Sequence, residues 1–537
     1  MNEKPHFTPT HQNGDNETDV KSEGNDGYKK LKTTSGTVDV KWSDENATTA
    51  MGGFAYFSNF LEATGLFDSL VENCPLEYKS NNAPEKRDIL GLVMLAILGG
   101  QNRYSHMASL RLDTLNTGLL KMGKIPSEDS VSRAITKLSE NETTQKWIED
   151  AYKNLDSGLL ENPWIMDIDV TLKTIYGNQE GAVIGYNSDK KGRASHNYHS
   201  IWIGKLRLCL GLEVRPGNEH HSNYGLDLLL NWFKNHPKEQ HPEFVRGDIG
   251  YGTDRWMNAL EQHGINYLFK LKQTAKVKEL ISYLQTDGKV EWIPELDNWE
   301  CCESEIQLTG WEIKRRIVVY RRLHSAEIQK ETVMTLPDAE NVNGEFILDL
   351  DNNKRPFYEY AVYVLSYPMP KEQVGSSYRD RGDNENCYDE MKNHWGWGGF
   401  TVNSLKKSQL MANLVAIFYN WWSIYTKFVD QEVAREAITS RPLLLNHVAS
   451  KSTHQRMKRM TIYCSHSLKE KITKLLEGAK ERILAIANSI APQLKTKRHI
   501  WAEIIRDIML NHKTVGCENN HPPPFSLTIE GSQKMVM

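Results

Sequence analysis

Apolar positions along this chain recur first at helical spacing, then at the two-residue spacing of strands, and finally at helical spacing again. The first 34 residues show neither period. Asn, Lys, Thr, Gly and Asp dominate them, with too little apolar surface to order the segment, and a disordered tail is expected. Val38–Trp42 alternates as a short strand, and 53–71 carries apolar residues at helical spacing. Pro84 precedes an expected helix over Glu85–Leu98, stopped by Gly99–Gly100. That helix holds the longest apolar run, Ile89–Leu98, which is too short for the ~30 Å hydrocarbon core of a bilayer and reads as buried. A second helix is expected around Ser105–Leu112. A third starts at Ser127, a good N-cap with Glu128 and Asp129 in the first turn. Two short helices, a turn and a capped helix bearing Ser130, Ser132, Arg133 and Lys137 suggest a helix-turn-helix with Arg133 toward DNA. A plain helical bundle is the other reading.

The period changes at Trp164. Trp164–Val170 alternates as a strand, and further strand-like runs follow at 181–186, 198–214 and 243–249. A helix at 254–263 ends at Gly264, where a C′ glycine belongs, and the strand Ile265–Leu271 comes next. Strands followed by helix–strand alternation indicate an α/β core. Residues 285–367 turn strand-rich again, at Val290–Ile293, Glu305–Leu308, Trp311–Tyr320 and Tyr360–Ser366, as a β-rich insertion would. After 376 the pattern is helical throughout. The boundaries expected are a tail at 1–34, a helical N-terminal DNA-binding domain at 35–160, and core at 161–284. The insertion follows at 285–367, then the rest of the core at 368–430 and a basic helical region at 431–537.

With 537 residues, 39% of them hydrophobic, the chain can bury a large core. Its net charge of −4 does not announce a polyanionic partner, so one would have to be met by a local patch. Residues 451–500 offer such a patch, with twelve Lys and Arg against three Glu. Its densest run is Arg456–Met457–Lys458–Arg459, where Lys458 and Arg459 are candidate phosphate contacts, against the alternative of a solvated helix face. The seven cysteines form no CxxC pair. Their odd number and the lack of a signal-peptide pattern point to a reducing, intracellular compartment.

Side chains alternate along a strand, so Asp167 and Asp169 share one face of Trp164–Val170. Two carboxylates side by side on a buried strand are costly unless a cation or water compensates them. Asp248 ends the apolar strand Phe244–Gly247 ahead of Gly250 and Gly252, at the end of a strand where α/β sites tend to lie. It would otherwise serve as a helix cap. If 376–392 is one helix, then Tyr378, Arg381, Glu385 and Lys392 fall on a single stripe, although Gly382 and Asn384 suit a helix poorly. His196, His199, His220 and His221 lack a zinc-site spacing and read as loop residues. Phe418, Tyr419, Trp421 and Trp422 read as helix-packing residues.

The spacing Tyr378-x2-Arg381-x3-Glu385-x6-Lys392 resembles the YREK signature of the DDE transposases of bacterial insertion sequences. Asp169-Val170-Thr171 resembles that family's first catalytic Asp, and Asp248 its second. The family usually has Ser or Gly where this chain has Val170, and Asp167 is kept as an alternative first ligand. The resemblance, over about residues 50–440, implies a ribonuclease H-like core interrupted by the β-rich insertion. It also implies a metal site of Asp169, Asp248 and Glu385 holding two Mg²⁺ or Mn²⁺ ions. Hard cations of this kind prefer oxygen ligands, and a pair of them clamps an in-line displacement at phosphorus. Tyr378, Arg381 and Lys392 would then contact phosphates. Terminal inverted repeats and target DNA would be the partners, a homodimer the assembly on DNA, and the bacterial cytoplasm, at the nucleoid, the setting, with no membrane. One of Trp292, Trp299 and Trp311 would stack on a flipped base, against the alternative that all three are core residues. A nuclease of the same fold without strand transfer, or a non-catalytic DNA-binding derivative, are the rival readings.

Overall fold

The strand pattern that begins at Trp164 folds into one mixed sheet that carries the chain's central acids. A computed structural model describes residues 28–41, 47–155, 158–160, 163–187, 190–219, 224–323, 346–348, 358–454, 457–464, 467–492 and 495–513. The side chains of 296, 346–348, 383–385, 453–454 and 457–458 lie outside that description. The chain divides into two units, Met1–Ala47 and Thr48–Met537.

In the first unit β1 (Lys29–Thr33) pairs antiparallel with β2 (Gly36–Val40). The tail expected to run to residue 34 therefore contains a strand. Leu31 stands opposite Val38 in this hairpin, a cross-strand apolar pair between flanking lysines. Residues 1–27 and Trp42 are outside the described residues.

The second unit opens with β3 (Thr48–Thr49) and a set of helices. Lys86–Leu98 is a helix, as the pattern predicts, with Glu85 and Asp88 closing a capping box at its start. Glu128–Ser139 is also a helix, and Ser127 Oγ caps it by accepting from the Ser130 amide at 3.2 Å. Both pack on the helix Leu405–Val429, which is buried almost all round and holds Phe418, Tyr419, Trp421 and Trp422. A helix apolar on every side belongs in a core. No described helix is long and apolar enough to cross a membrane.

Then come β4 (Ile165–Thr174), β5 (Val183–Ile184), β6 (Ala194–Ile203), β7 (Leu208–Pro216), β8 (Phe244–Gly247) and β9 (Tyr267–Lys270). Strand β6 lies antiparallel to β4 and also pairs with β5 and β7, while β4, β8 and β9 run parallel in that order. His196 and His199, expected in loops, lie on β6 and are buried. His220 and His221 are outside the described residues.

The β-rich insertion supplies β10 (Ile293–Pro294), β11 (Trp299–Ile306), β12 (Arg315–Leu323), β13 (Phe346–Leu348) and β14 (Tyr358–Leu365). It does not stand apart. Strand β14 pairs antiparallel with β9, so the insertion extends the core sheet and covers what would be an open edge. Trp299 and Trp311 are buried and Trp292 half-buried, with Arg322, Arg315 and Arg321 over their respective rings.

Arg315 on β12 ties the insertion to the helix Asp254–Gln262, which follows the Asp248 loop. Its buried guanidinium bonds Asp254 at 2.9 Å and Glu261 at 2.8 Å. Replacing Arg315 by Ala leaves these acids facing each other without a cation. The expected cost is about 2 kcal/mol, below the usual figure for a buried pair because both acids keep some solvent. An earlier urea unfolding midpoint would register it, and an unchanged midpoint would refute the strut.

The region 431–537, expected to be wholly helical, contains a hairpin. Strands β15 (Val448–His454) and β16 (Met457–Tyr463) pair antiparallel, and β15 also pairs with β3. Val448, Thr453, Thr461, Ile462 and Tyr463 favour strands, a preference that counting charges over the region hides.

Candidate functional site

The parallel pairing of β4 with β8 places Asp167 opposite Arg246. Two residues further along each chain stand Asp169, still on β4, and Asp248, the first residue past β8, and both act electrostatically on Arg381, Tyr251 and Tyr378. The pair thus carries two rows, an acid beside a base and then an acid beside an acid. The second row therefore concentrates negative charge around Arg381.

The first row is closed. Asp167 and Arg246 are 1% and 2% exposed. Arg246 Nε donates to Asp167 Oδ1 at 2.5 Å and Nη2 to Oδ2 at 2.8 Å, while Nη1 donates to the Ser377 carbonyl. A Cβ at Gly204 would sit 2.2 Å from Asp167 Oδ2, so only glycine lets β6's end approach this pair.

The second row is open. The Asp169 side chain is 14% exposed, and its Oδ2 accepts from Arg381 Nη2 at 2.5 Å. Asp248 Oδ1 accepts from the Gly250 amide at 2.9 Å, which fixes the turn after β8. A Cβ on Gly247 would meet the Tyr251 ring at 2.8 Å, so this glycine lets the turn fold its tyrosine inward.

The third side of the site is the segment from Lys371 to Trp395. It is not the single helix expected. Helix Lys371–Arg379 gives way at Asp380–Arg381 to helix Gly382–Glu390, and then to a wide π turn, Met391–Trp395. The break falls beside Gly382, the residue least suited to a helix interior. Arg381 is buried at the break. Burial alone would lower its pKa, but Asp169, Tyr378 and Asp248 outweigh that and raise it, so the guanidinium stays charged. Its Nε is buried without a hydrogen-bond partner.

Three tyrosines line the row. Tyr378 packs on Tyr363 with ring centroids 4.7 Å apart. Burial raises its hydroxyl pKa, Asp248 and Asp169 add to the rise, and Arg381 opposes it. Tyr251 is raised well above its ordinary value by burial, then by Asp169 and Asp248. Tyr388 is raised by burial and by Asp169, and its hydroxyl lies 3.0 Å from Ser200 Oγ, the residue opposite Asp169 on β6. All three stay protonated and keep a proton to donate.

Asp169, Asp248, Tyr378 and Arg381 are therefore brought together. Glu385 lies on helix Gly382–Glu390, one turn after Arg381 and one before Tyr388, and its side chain is outside the described residues. Lys392 is half-buried in the π turn. Arg133 is exposed and bonds Ser130 Oγ of its own helix at 3.2 Å. Arg459 is exposed on β16, and the Lys458 side chain is outside the described residues. Arg246, Tyr251, Ser200 and Tyr388 were not singled out from the sequence. A signal for Arg246 was present, because Asp-x-Asp at 167–169 and Arg-x-Asp at 246–248 have equal offsets.

Two carboxylates on one row form an all-oxygen donor set, which suits a hard divalent cation. Among the described residues no group of three His, Cys, Asp or Glu is placed to hold a metal.

A family model described as Transposase DDE domain group 1 matches residues 37–478. No curated protein matches the chain. The cryo-EM structure of a piggyBac transposase synaptic complex with hairpin DNA is similar at 12% identity over 89% of this chain and 90% of that one, with a TM-score of 0.35. Because the family model spans most of the sequence, the chain belongs to the group 1 DDE transposases, metal-dependent enzymes that cut and join DNA.

Proposed function

We propose that Asp169 and Asp248, with Glu385 as the third acid, hold two Mg²⁺ or Mn²⁺ ions for cut-and-paste transposition of a bacterial insertion sequence. The reading rests on one observation, the row of Asp169 beside Asp248 faced by Arg381. When bound, such ions activate a water or a 3′-hydroxyl and stabilise the leaving oxygen. Asp169 and Asp248 position them from adjacent strands. Arg381, held charged, would be placed to grip a phosphate oxygen beside ions held there, and Tyr378 to donate to the same phosphate. Asp167 serves to pin Arg246 rather than to bind metal, which favours Asp169 as the first ligand.

The strand order β7-β6-β4-β8-β9, antiparallel through β4 and then parallel, supports a ribonuclease H-like core. Tyr378, Arg381, Glu385 and Lys392 as a YREK group support the insertion-sequence assignment. The N-terminal helices with Arg133, and the basic C-terminal region with Lys458 and Arg459, serve DNA contact outside the core and its insertion. Two copies act together at paired terminal repeats, in the bacterial cytoplasm.

The test is a labelled duplex carrying the element's own end, taken from the DNA flanking its gene, incubated with protein and Mg²⁺. Cleavage at the end followed by joined products is expected, and both are lost in Glu385→Gln. Nicking without joining would indicate a nuclease, and undiminished cleavage by Glu385→Gln would remove Glu385 from the site.

A further inference from the structure

Strands β4, β6 and β5 end together, with Thr174, Ser195 and Val183 in register. The tip beyond them exposes Tyr176 (69%), Ile184 (65%) and Tyr186 (70%). These side chains stand on a braced support. Asn187, 4% exposed, reaches the Thr174 hydroxyl and the Arg193 carbonyl at 3.4 Å and accepts from the Lys190 amide at 2.8 Å. Glu180, in the connection from β4 to β5 that carries Tyr176, anchors that connection to the helix Leu405–Val429, accepting from the Leu405 amide at 2.9 Å. Exposed aromatic and aliphatic side chains held in place this way mark a contact surface.

Cations select the partner. Lys190 Nζ donates to the Tyr176 hydroxyl at the ring's edge and leaves its faces open, Arg193 lies 6.0 Å from that ring's centroid, and Lys191 is exposed beside them. Aromatic faces interleaved with cations suit unpaired nucleic acid, whose bases stack while its phosphates pair. An apolar protein partner would leave these cations desolvated without an opposite charge. The location fits as well. Thr174 is five residues beyond Asp169 on the same strand, about 17 Å at ~3.3 Å per residue, a distance that a few unpaired nucleotides bridge.

We propose that this tip is a stacking platform for single-stranded DNA flanking the cut. Tyr176 and Tyr186 take the bases, and Lys190, Lys191 and Arg193 take the phosphates. The proposal rests on the acid row being where DNA is cut, but binding can be measured without cutting. Fluorescence anisotropy with labelled oligo(dT) of about 20 nucleotides, in EDTA, reads the platform alone. Tyr176→Ala/Tyr186→Ala is expected to weaken binding at least about tenfold, while Tyr176→Phe/Tyr186→Phe, which keeps the rings, binds as wild type. Lys190→Gln/Arg193→Gln should lower the log–log salt slope by about 1.4. Asp248→Asn, run alongside, retains oligo(dT) binding, so loss of cleavage reports on the acids and loss of binding on the platform. Unchanged affinity of the alanine variant would overturn the proposal. So would a drop in oligomeric state measured by light scattering, since the tip would then be an interface between copies.

Discussion

Asp248→Asn is expected to lower strand cleavage by about three orders of magnitude while leaving the fold intact, several kcal/mol of metal-derived transition-state stabilisation being lost. The asparagine keeps the oxygen that accepts from the Gly250 amide, so the turn after β8 persists. What disappears is one of two charges on the row, and with it the attraction for a second dication. Asp169→Asn should do the same and should also release Arg381, which bonds Asp169 directly. The measurement is single-turnover cleavage of a labelled element-end duplex across Mg²⁺ and Mn²⁺ concentrations, with circular dichroism to verify folding. If Asp169→Asn cleaves at the wild-type rate, the first ligand lies elsewhere on β4.

The largest stability effect is expected at the closed row. Arg246→Met strands the Asp167 carboxylate in a buried site, and breaking such a pair costs about 3–5 kcal/mol. The double variant Asp167→Leu/Arg246→Met removes both charges and should recover most of that loss, because a well-packed apolar pair can replace a buried ion pair. Cleavage should stay impaired in the double variant, since Arg246 also holds the Ser377 carbonyl four residues before Arg381. Urea unfolding and cleavage rates, measured together, separate the two roles. A single variant that unfolds at the wild-type midpoint would mean Asp167 is not committed to Arg246, and would return it as a candidate metal ligand.

Much of this site is written locally. The Tyr-Arg-Glu-Lys spacing, the alternation around Asp169 and the apolar strand ending on Asp248 depend on residues within a few positions of one another. So do the capped helix at Ser127 and the buried helix over Leu405–Val429, whose periods are set by their own side chains. Three features did not follow from local pattern. Asp167 and Asp169 share a face and a residue type, and only the pairing of β4 with β8 separates them by giving one an arginine and the other a second acid. Tyr251, Tyr388 and Ser200 join the acids from three elements far apart in sequence, and no spacing rule connects them. The insertion joined the core sheet instead of standing apart because β9 had an unpaired edge. Periodicity is a property of one segment, and it specifies which residues face the same way. Which charges neutralise each other, and which remain to attract a cation, is decided by strand register, since electrostatic and hydrogen-bond partners are chosen across space.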